Sequence, residues 1–173
     1  MQVSYENNLD DLISLNIDLM ANNEQFKKRR LLSLYITPVF LLFAFSFFAY
    51  VTDNPSFYGG AVVGTLVSYL WTYYGYKKYP RKAAEELRQI EVFCEHTLVI
   101  TEDGVKESTN NSESFHKWNA IDHVSVNDNY VFIYNTPMTA HVIPKRVIGE
   151  NDFVQIKEMV AVYKTPNKKI NKD

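Results

Sequence analysis

Two long apolar runs constrain this chain more than any other feature. They cover residues 31–51 and 57–76, and neither contains a charged residue. A helix rises about 1.5 Å per residue, so each run is roughly 30 Å long as a helix, which is the thickness of a bilayer's hydrocarbon core. A helix also satisfies its own backbone hydrogen bonds, as a segment in lipid must. We therefore expect a transmembrane helical hairpin with two spans.

Basic residues flank this hairpin on one side only. The segment 52–56 between the runs contains no Lys or Arg. Because Lys and Arg are retained on the cytoplasmic side, we predict a protein of the cell (plasma) membrane with two spans and both termini in the cytoplasm. The residues that set this topology are Lys27, Lys28, Arg29 and Arg30 before the first run, and Lys77, Lys78, Arg81 and Lys82 after the second.

Two alternatives to a membrane hairpin are disfavoured. An apolar hairpin buried in a soluble protein needs a large polar shell, which 173 residues do not easily supply. A cleaved signal peptide does not fit either, because the first run follows a polar segment, 1–26, and exceeds a typical signal core. The bilayer itself is therefore the first predicted partner.

Composition excludes some further classes. The formal net charge is −2, so the chain has no global affinity for nucleic acid. Cys94 is the single cysteine, which allows no intrachain disulfide and suits the reducing cytoplasm.

Small residues recur every four positions along the second run. Such a stripe lets helix backbones approach closely, and its members are Gly60, Gly64, Ser68 and Thr72. The partner is either the first span or a second copy of the chain, which would give a homo-oligomer. Neither run contains an ionisable residue, so transport would require oligomerisation. In the first run, Pro38 is expected to kink the helix.

The N-terminal segment combines a short strand with an amphipathic helix. Residues 2–6 alternate weakly, and apolar spacings of three and four predict a helix over 9–20, capped by Asn8 or Asp10. Its acidic residues Asp10, Asp11 and Asp18 are expected on the solvated face. We expect this helix to pack on the cytoplasmic domain.

The C-terminal half reads as an antiparallel meander closed by a helix. A helix is expected to start at Pro80 and to continue to about residue 92. Six short strands follow, at 97–101, 105–108, 113–118, 121–126, 130–134 and 139–143. An amphipathic helix capped by Asn151 or Asp152 ends the domain. This α+β arrangement is pleckstrin-homology-like, and if residues 3–6 add a strand, the hairpin is an insertion within it.

These patterns divide the chain into four parts. They are the N-terminal strand and helix (1–26), the transmembrane hairpin (27–82), the strand-rich cytoplasmic domain (83–164) and a polar tail (165–173).

Short motifs in the strand-rich half resemble those of the bacterial YcxB-like membrane proteins. The motifs are the sequence 141–146, HVIPKR, after the strand 130–134, and the sequence 101–105, TEDGV, followed by Trp118. The order of parts is also similar over most of the chain. The resemblance implies a membrane protein with a pleckstrin-homology-like domain, and it implies no activity, cofactor or catalytic residue.

No motif predicts catalysis. The sequence contains no G-x-S-x-G, P-loop or dinucleotide-binding motif. Four histidines fall on predicted strands, but their spacing is not that of metal ligands. They are His96, His116, His123 and His141. We therefore predict no enzyme activity, metal or cofactor.

Lys145 and Arg146 follow the last strand. They form either a solvated loop or a contact for a phosphate or lipid headgroup.

The leading functional hypothesis is a membrane-anchored, non-enzymatic interaction module. Its pleckstrin-homology-like domain would bind a protein segment or a lipid headgroup at the cytoplasmic face. The alternative is a subunit of an oligomeric transport or envelope-maintenance complex, assembled through the small-residue stripe.

Overall fold

The structure, a computed structural model, describes residues 1–87 and 93–164. Within these residues the strands are β1 Gln2–Glu6, β2 Glu95–Ile100, β3 Gly104–Ser108, β4 Glu113–Lys117, β5 His123–Val126, β6 Tyr130–Tyr134 and β7 Ala140–Pro144. The α-helices are α1 Leu9–Asn22, α2 Glu24–Leu31, α3 Thr37–Thr52, α4 Ser56–Glu86, α5 Lys145–Ile148 and α6 Glu150–Tyr163. Helices and antiparallel sheets make this an α+β protein, as predicted.

The chain forms two compact units, and the first is discontinuous in sequence. The sheet domain consists of Met1–Asp18 and the described residues from Ala84 onward, and the hairpin consists of Leu19–Ala83. The sheet domain is joined across this gap because β1 pairs antiparallel with β2, with Val3 opposite Leu98 and Tyr5 opposite His96. The hairpin is therefore inserted in the sequence between two adjacent strands of one sheet.

The strands form two sheets, not the single meander predicted. One sheet has the order β1-β2-β3-β4 and the other β5-β6-β7, with every neighbouring pair antiparallel. The break follows β4, where the amide of Ala120 donates to the carbonyl of Lys117 in a tight turn. The amide of Asp122 then donates to the carbonyl of Tyr134, which starts pairing with β6. These hydrogen bonds direct β5 into a new sheet.

Both sheets and α6 contribute to one hydrophobic core. Its members are Val3, Tyr5, Leu98, Ile100, Val105, Trp118, Ile121, Val131, Ile133, Ile143, Phe153, Ile156 and Val160. Burying an aliphatic or aromatic side chain of this size contributes about 1.5–3 kcal/mol. Val3 and Tyr5 belong to this core, so the sheet domain requires the strand that precedes the hairpin.

Helix α1 confirms the predicted amphipathic helix, but its acidic residues are not all solvated. The backbone amide of Asp11 donates to Oδ1 of Asn8, and the amide of Asn8 donates to Oδ2 of Asp11, which is a reciprocal cap. Asp11 is fully buried. Asp18 accepts hydrogen bonds from the Ser125 and Tyr134 hydroxyls, both at 2.7 Å. The expectation that both lie on a solvated face was wrong, because Asp11 pairs with Arg146 of α5 and Asp18 is held by hydroxyls of β5 and β6.

The first apolar helix runs through a π turn. A five-residue π segment, Leu32–Ile36, lies between α2 and α3 and immediately precedes the first turn of α3, which contains Pro38. Proline has no backbone N–H and its ring crowds the carbonyl four residues earlier, here that of Leu34. Widening the helix upstream of Pro38 relieves this crowding.

Helix α4 continues through Pro80, so the prediction that a new helix starts there was wrong. Pro80 lies inside Ser56–Glu86 and is buried. A long helix tolerates an internal proline as a local distortion, and the Lys, Arg and Ala residues around it favour helix. The predicted continuation to residue 92 and the polar tail 165–173 fall largely outside the described residues.

The last helix begins before its predicted caps. Gly149 precedes α6 with φ +82°, a conformation that suits glycine, and no side chain caps the helix. Asn151 and Asp152 therefore lie within the first turn, where an acidic side chain still favours the helix dipole. Lys145 and Arg146 form the start of α5 instead of a loop.

Candidate functional site

The hairpin carries a large apolar surface that faces outward. In the part of the chain that the structure describes, one helix, Glu24–Thr52, is long and apolar enough to cross a membrane. Its most apolar window has a mean hydropathy of 2.1, and only 11% of that window is buried. Exposed side chains from both arms include Val39, Phe40, Phe43, Phe47, Phe48, Val62, Val63, Leu66, Val67 and Leu70.

Helix α4 is less apolar than the first helix, although residues 57–76 carry no charge. Five Tyr and four Gly occupy this stretch, and they lower its hydropathy below that of the Leu- and Phe-rich α3. One span is therefore supported by length and composition, and the second remains a prediction.

The two arms of the hairpin lie side by side and antiparallel. Near the chain ends of the hairpin, the rings of Phe26 and Tyr79 are 6.0 Å apart. Near the connecting turn, the rings of Phe48 and Phe57 are 6.4 Å apart. Between them, the hydroxyl of Thr65 donates to the carbonyl of Pro38 at 3.5 Å. This arrangement brings the basic residues that precede α3 and those in the last turns of α4 to one end of the hairpin.

The predicted small-residue stripe is only partly turned toward the first helix. A Cβ atom on Gly64 would lie 4.0 Å from the ring of Phe45, whereas one on Gly60 would meet nothing within 4 Å. Ala61, next to Gly60, is almost fully buried. Ser68 and Thr72 are half-buried, and the Thr72 hydroxyl donates to the carbonyl of Ser68 within α4. The use of this stripe for helix packing remains a prediction.

Lys145 and Arg146 line a surface depression of about 440 Å³, together with Asn129, Tyr130, Pro144 and Glu150. Both cations already have carboxylate partners. Arg146 pairs with the buried Asp11, and Lys145 pairs with Glu150. A phosphate would have to compete with these carboxylates, and contact of the pair with a phosphate or lipid headgroup remains a prediction.

The sheet domain is acidic and the hairpin is basic. In the described residues of the sheet domain, sixteen Asp and Glu stand against six Lys and Arg. In the hairpin, eight Lys and Arg stand against two carboxylates, Glu24 and Asp53. The net charge of −2 for the whole chain hides this separation. An anionic lipid surface would attract the hairpin and repel the sheet domain.

A polar cluster that the sequence did not predict lies within the sheet domain. Oε1 of Glu107 on β3 accepts hydrogen bonds from Nδ1 of His96 on β2 and Nδ1 of His141 on β7, both at 3.0 Å. The ring of Tyr5 on β1 stacks on His96 with centroids 5.5 Å apart. The ring of His116 on β4 lies 5.8 Å from that of His141. Five strands thus contribute to one cluster.

Glu107 determines which nitrogens of these histidines carry protons. A carboxylate only accepts hydrogen bonds, so Nδ1 of His96 and of His141 must both donate. Nε2 of His141 is buried and, in the described structure, has no hydrogen-bond partner. Burial raises the pKa of Glu107, but the hydrogen bonds from His141 and His96 outweigh it and lower this pKa to about 2. Burial, together with the charge of Glu107, raises the pKa of Tyr5.

Metal ligation has no support among the described residues of this cluster. Among the described residues, no three His, Cys, Asp or Glu side chains are arranged to hold a metal ion. Sγ of Cys94 lies 3.7 Å from Nε2 of His96. His123 is elsewhere, with Nδ1 2.7 Å from Asp122 and its ring stacked on Tyr134. The cluster therefore holds strands together through polar contacts.

The comparisons with known proteins identify one segment of the chain. Residues 100–160 match the family model described as YcxB-like protein. The segment runs from the last residue of β2 into α6 and contains Glu107 and His141, but neither β1 nor the hairpin. No curated protein and no solved structure matches the chain. The chain therefore carries a YcxB-like domain, as its motifs indicated.

Proposed function

We propose that this chain, with its YcxB-like domain at residues 100–160, is a membrane-anchored, non-enzymatic interaction module. The observation that carries the proposal is the exposed apolar surface of the first hairpin helix, of which only 11% is buried over its most apolar window. Water does not stabilise so large an exposed apolar surface, whereas lipid chains do.

Two features distinguish this helix from the core helix of a soluble protein and from a signal sequence, which can have the same length and composition. The core helix of a soluble protein is mostly buried, and this one is not. Cleavage of a signal sequence at this helix would remove β1, and with it the core residues Val3 and Tyr5. The contacts between the arms support a hairpin in which α4 is the second span.

The position of the hairpin's eight Lys and Arg residues supports an orientation with both termini in the cytoplasm. Lys and Arg beside a span stay on the cytoplasmic side, and all eight lie at the end away from the connecting turn. The turn at residues 53–55 would then face the outside of the cell.

The strand order supports a pleckstrin-homology-like domain. A four-stranded sheet is followed by a three-stranded sheet and a C-terminal helix that packs on both. Such domains serve as recognition modules, and the acidic character of this one favours a protein segment over an anionic headgroup. Lys145 and Arg146 support the same choice, because both pair with carboxylates.

Strand β4 is the surface best suited to bind an extended protein segment. It is the edge of its sheet and, in the described residues, pairs only with β3. Phe115 in its centre is 50% exposed. A peptide that added a strand here would gain backbone hydrogen bonds and cover this ring.

The orientation can be tested with the chain's single cysteine removed. In a Cys94→Ser background, we expect the Ser56→Cys variant, at the start of α4, to react with a membrane-impermeant maleimide in intact cells. The Ser112→Cys variant, before β4, should react only after permeabilisation. Reaction of Ser112→Cys in intact cells, or recovery of the chain in the soluble fraction, would contradict the proposed anchoring.

Partner binding can be tested by photocrosslinking in living cells. A benzophenone amino acid at position 115 should give a discrete adduct of higher mass with a protein partner. The same group at Val162, an exposed residue of α6, is the matched control and should give none. Equal diffuse crosslinking from both positions would argue against recognition at β4, and a product of exactly twice the mass would indicate self-association.

A further inference from the structure

The hairpin carries a concentrated basic surface at one end. We call this the basic end, and it consists of Lys27, Lys28, Arg29, Arg30, Lys77, Lys78, Arg81 and Lys82. All eight side chains are exposed. The ring contact between Phe26 and Tyr79 brings the two groups of cations together, although about fifty residues separate them in sequence.

Six of the eight cations of the basic end have no carboxylate partner among the described residues. Lys27 lies 3.5 Å from Glu24, and the other hairpin carboxylate, Asp53, lies at the opposite end. Among the described residues, no carboxylate within 4.0 Å pairs with Lys28, Arg29, Arg30, Lys77, Lys78 or Lys82. Like charges three and four positions apart, such as Lys78 and Lys82, also repel each other on the helix. An anionic ligand would relieve this repulsion.

An apolar surface adjoins the basic end on both arms. Leu31 and Leu32 follow Arg30 directly, and both are more than half exposed. Trp71 is 81% exposed and precedes Lys77 by six residues, about 9 Å along the helix. A free phosphate or a nucleic acid has no long apolar part to match this surface. A phospholipid has both a charged headgroup and apolar chains.

We propose that the basic end binds anionic phospholipids in preference to zwitterionic ones. This inference rests on the proposed membrane anchoring and assigns the hairpin a role beyond anchoring and topology. Each cation near a membrane surface contributes about 1 kcal/mol of attraction to anionic lipid, which corresponds to about a fivefold preference. The hairpin would then concentrate anionic lipid around itself, while the acidic sheet domain would not.

The fluorescence of Trp71 can report which lipids lie beside the apolar surface next to the basic end. Bromine atoms on lipid chains quench tryptophan emission at contact, so brominated lipids report which lipid lies beside an exposed ring. The chain has one other tryptophan, Trp118, which is buried in the sheet domain. The Trp71→Phe variant retains only Trp118, and its emission can be subtracted to isolate the Trp71 signal.

The experiment compares two brominated lipids around the full chain. The protein is reconstituted in phosphatidylcholine vesicles containing rising fractions of either brominated phosphatidylglycerol or brominated phosphatidylcholine. We expect the phosphatidylglycerol fraction needed for half-maximal quenching of Trp71 to be about fivefold lower. High salt should weaken this preference, because it screens charges at the surface.

Charge variants separate recognition from random contact. The combined variant Lys28→Gln, Arg29→Gln, Lys77→Gln, Lys78→Gln should lose most of the preference, and it leaves four cations to keep the orientation. The matched control, Lys117→Gln with Lys157→Gln in the sheet domain, should keep it. Equal quenching by the two lipids would overturn the inference while leaving the anchoring intact. Absence of quenching by either lipid would overturn the proposed anchoring.

Discussion

Replacing Gly104 with alanine is expected to destabilise the sheet domain by about 3 kcal/mol, the largest effect of a single methyl group that the structure indicates. A Cβ atom at this position would lie 2.2 Å from the carbonyl oxygen of His116 and 2.9 Å from Cα of Lys117. Both atoms are backbone atoms of β4, so β3 and β4 would have to separate. The tight approach follows from the pairing of Gly104 with Lys117 at the end of the ladder.

Urea unfolding of the full chain in nonionic micelles, followed by circular dichroism, would measure this loss. The matched control is Gly75→Ala in α4, where an added Cβ meets nothing within 4 Å and alanine favours helix. Gly75→Ala should leave the sheet domain unchanged. Equal unfolding curves for Gly104→Ala and the parent chain would show that β4 does not pair with β3 as described.

Replacing Glu107 with leucine is expected to cost about 2–4 kcal/mol at neutral pH. The change leaves two N–H groups, those of Nδ1 in His96 and His141, without the oxygen that accepts both. Each buried donor left unpaired costs about 1–3 kcal/mol. The control Glu158→Leu, on the exposed side of α6, should change stability by less than about 0.5 kcal/mol.

The same carboxylate predicts a pH dependence with a definite sign. The pKa of Glu107 is about 2 in the folded chain, below its usual value of 4.5, so the unfolded chain binds more protons between these values. Its contribution is complete above pH 4.5 and is lost as the pH falls toward 2. The difference in stability between the parent chain and Glu107→Gln should therefore shrink over this interval. A constant difference would show that folding does not lower the pKa of Glu107.

Local patterns in the sequence were sufficient to predict most of the helices and strands. The β-branched and aromatic residues in 130–134 and the apolar spacing in 9–20 both identified the correct element, and the Asp-Gly signal placed the turn between β2 and β3. An error occurred where a rule for one residue conflicted with the helix preference of the residues around it. Pro80 was read as a helix start, and it lies inside α4 because the flanking residues continue the helix on both sides.

The polar contacts of the sheet domain could not be predicted from the sequence alone. Asp11 and Arg146 are 135 positions apart, and Glu107 meets a histidine 34 positions later. No spacing rule connects residues this far apart, because their contact depends on which strands become neighbours. The sequence showed four histidines without a motif, and only the strand order shows that three of them lie near Glu107 or near each other.

The sequence by itself determined two uncharged apolar runs, their basic flanks and the six strands that follow among the described residues. These are properties of single segments, and a helix or strand forms largely from its own periodicity. Only the tertiary structure decided that β1 pairs with β2 across the hairpin, that the seven strands of the described residues divide into two sheets and that the two basic flanks meet at one end. Those outcomes depend on long-range hydrogen bonds and side-chain contacts, for which the chain's linear pattern contains no local signal.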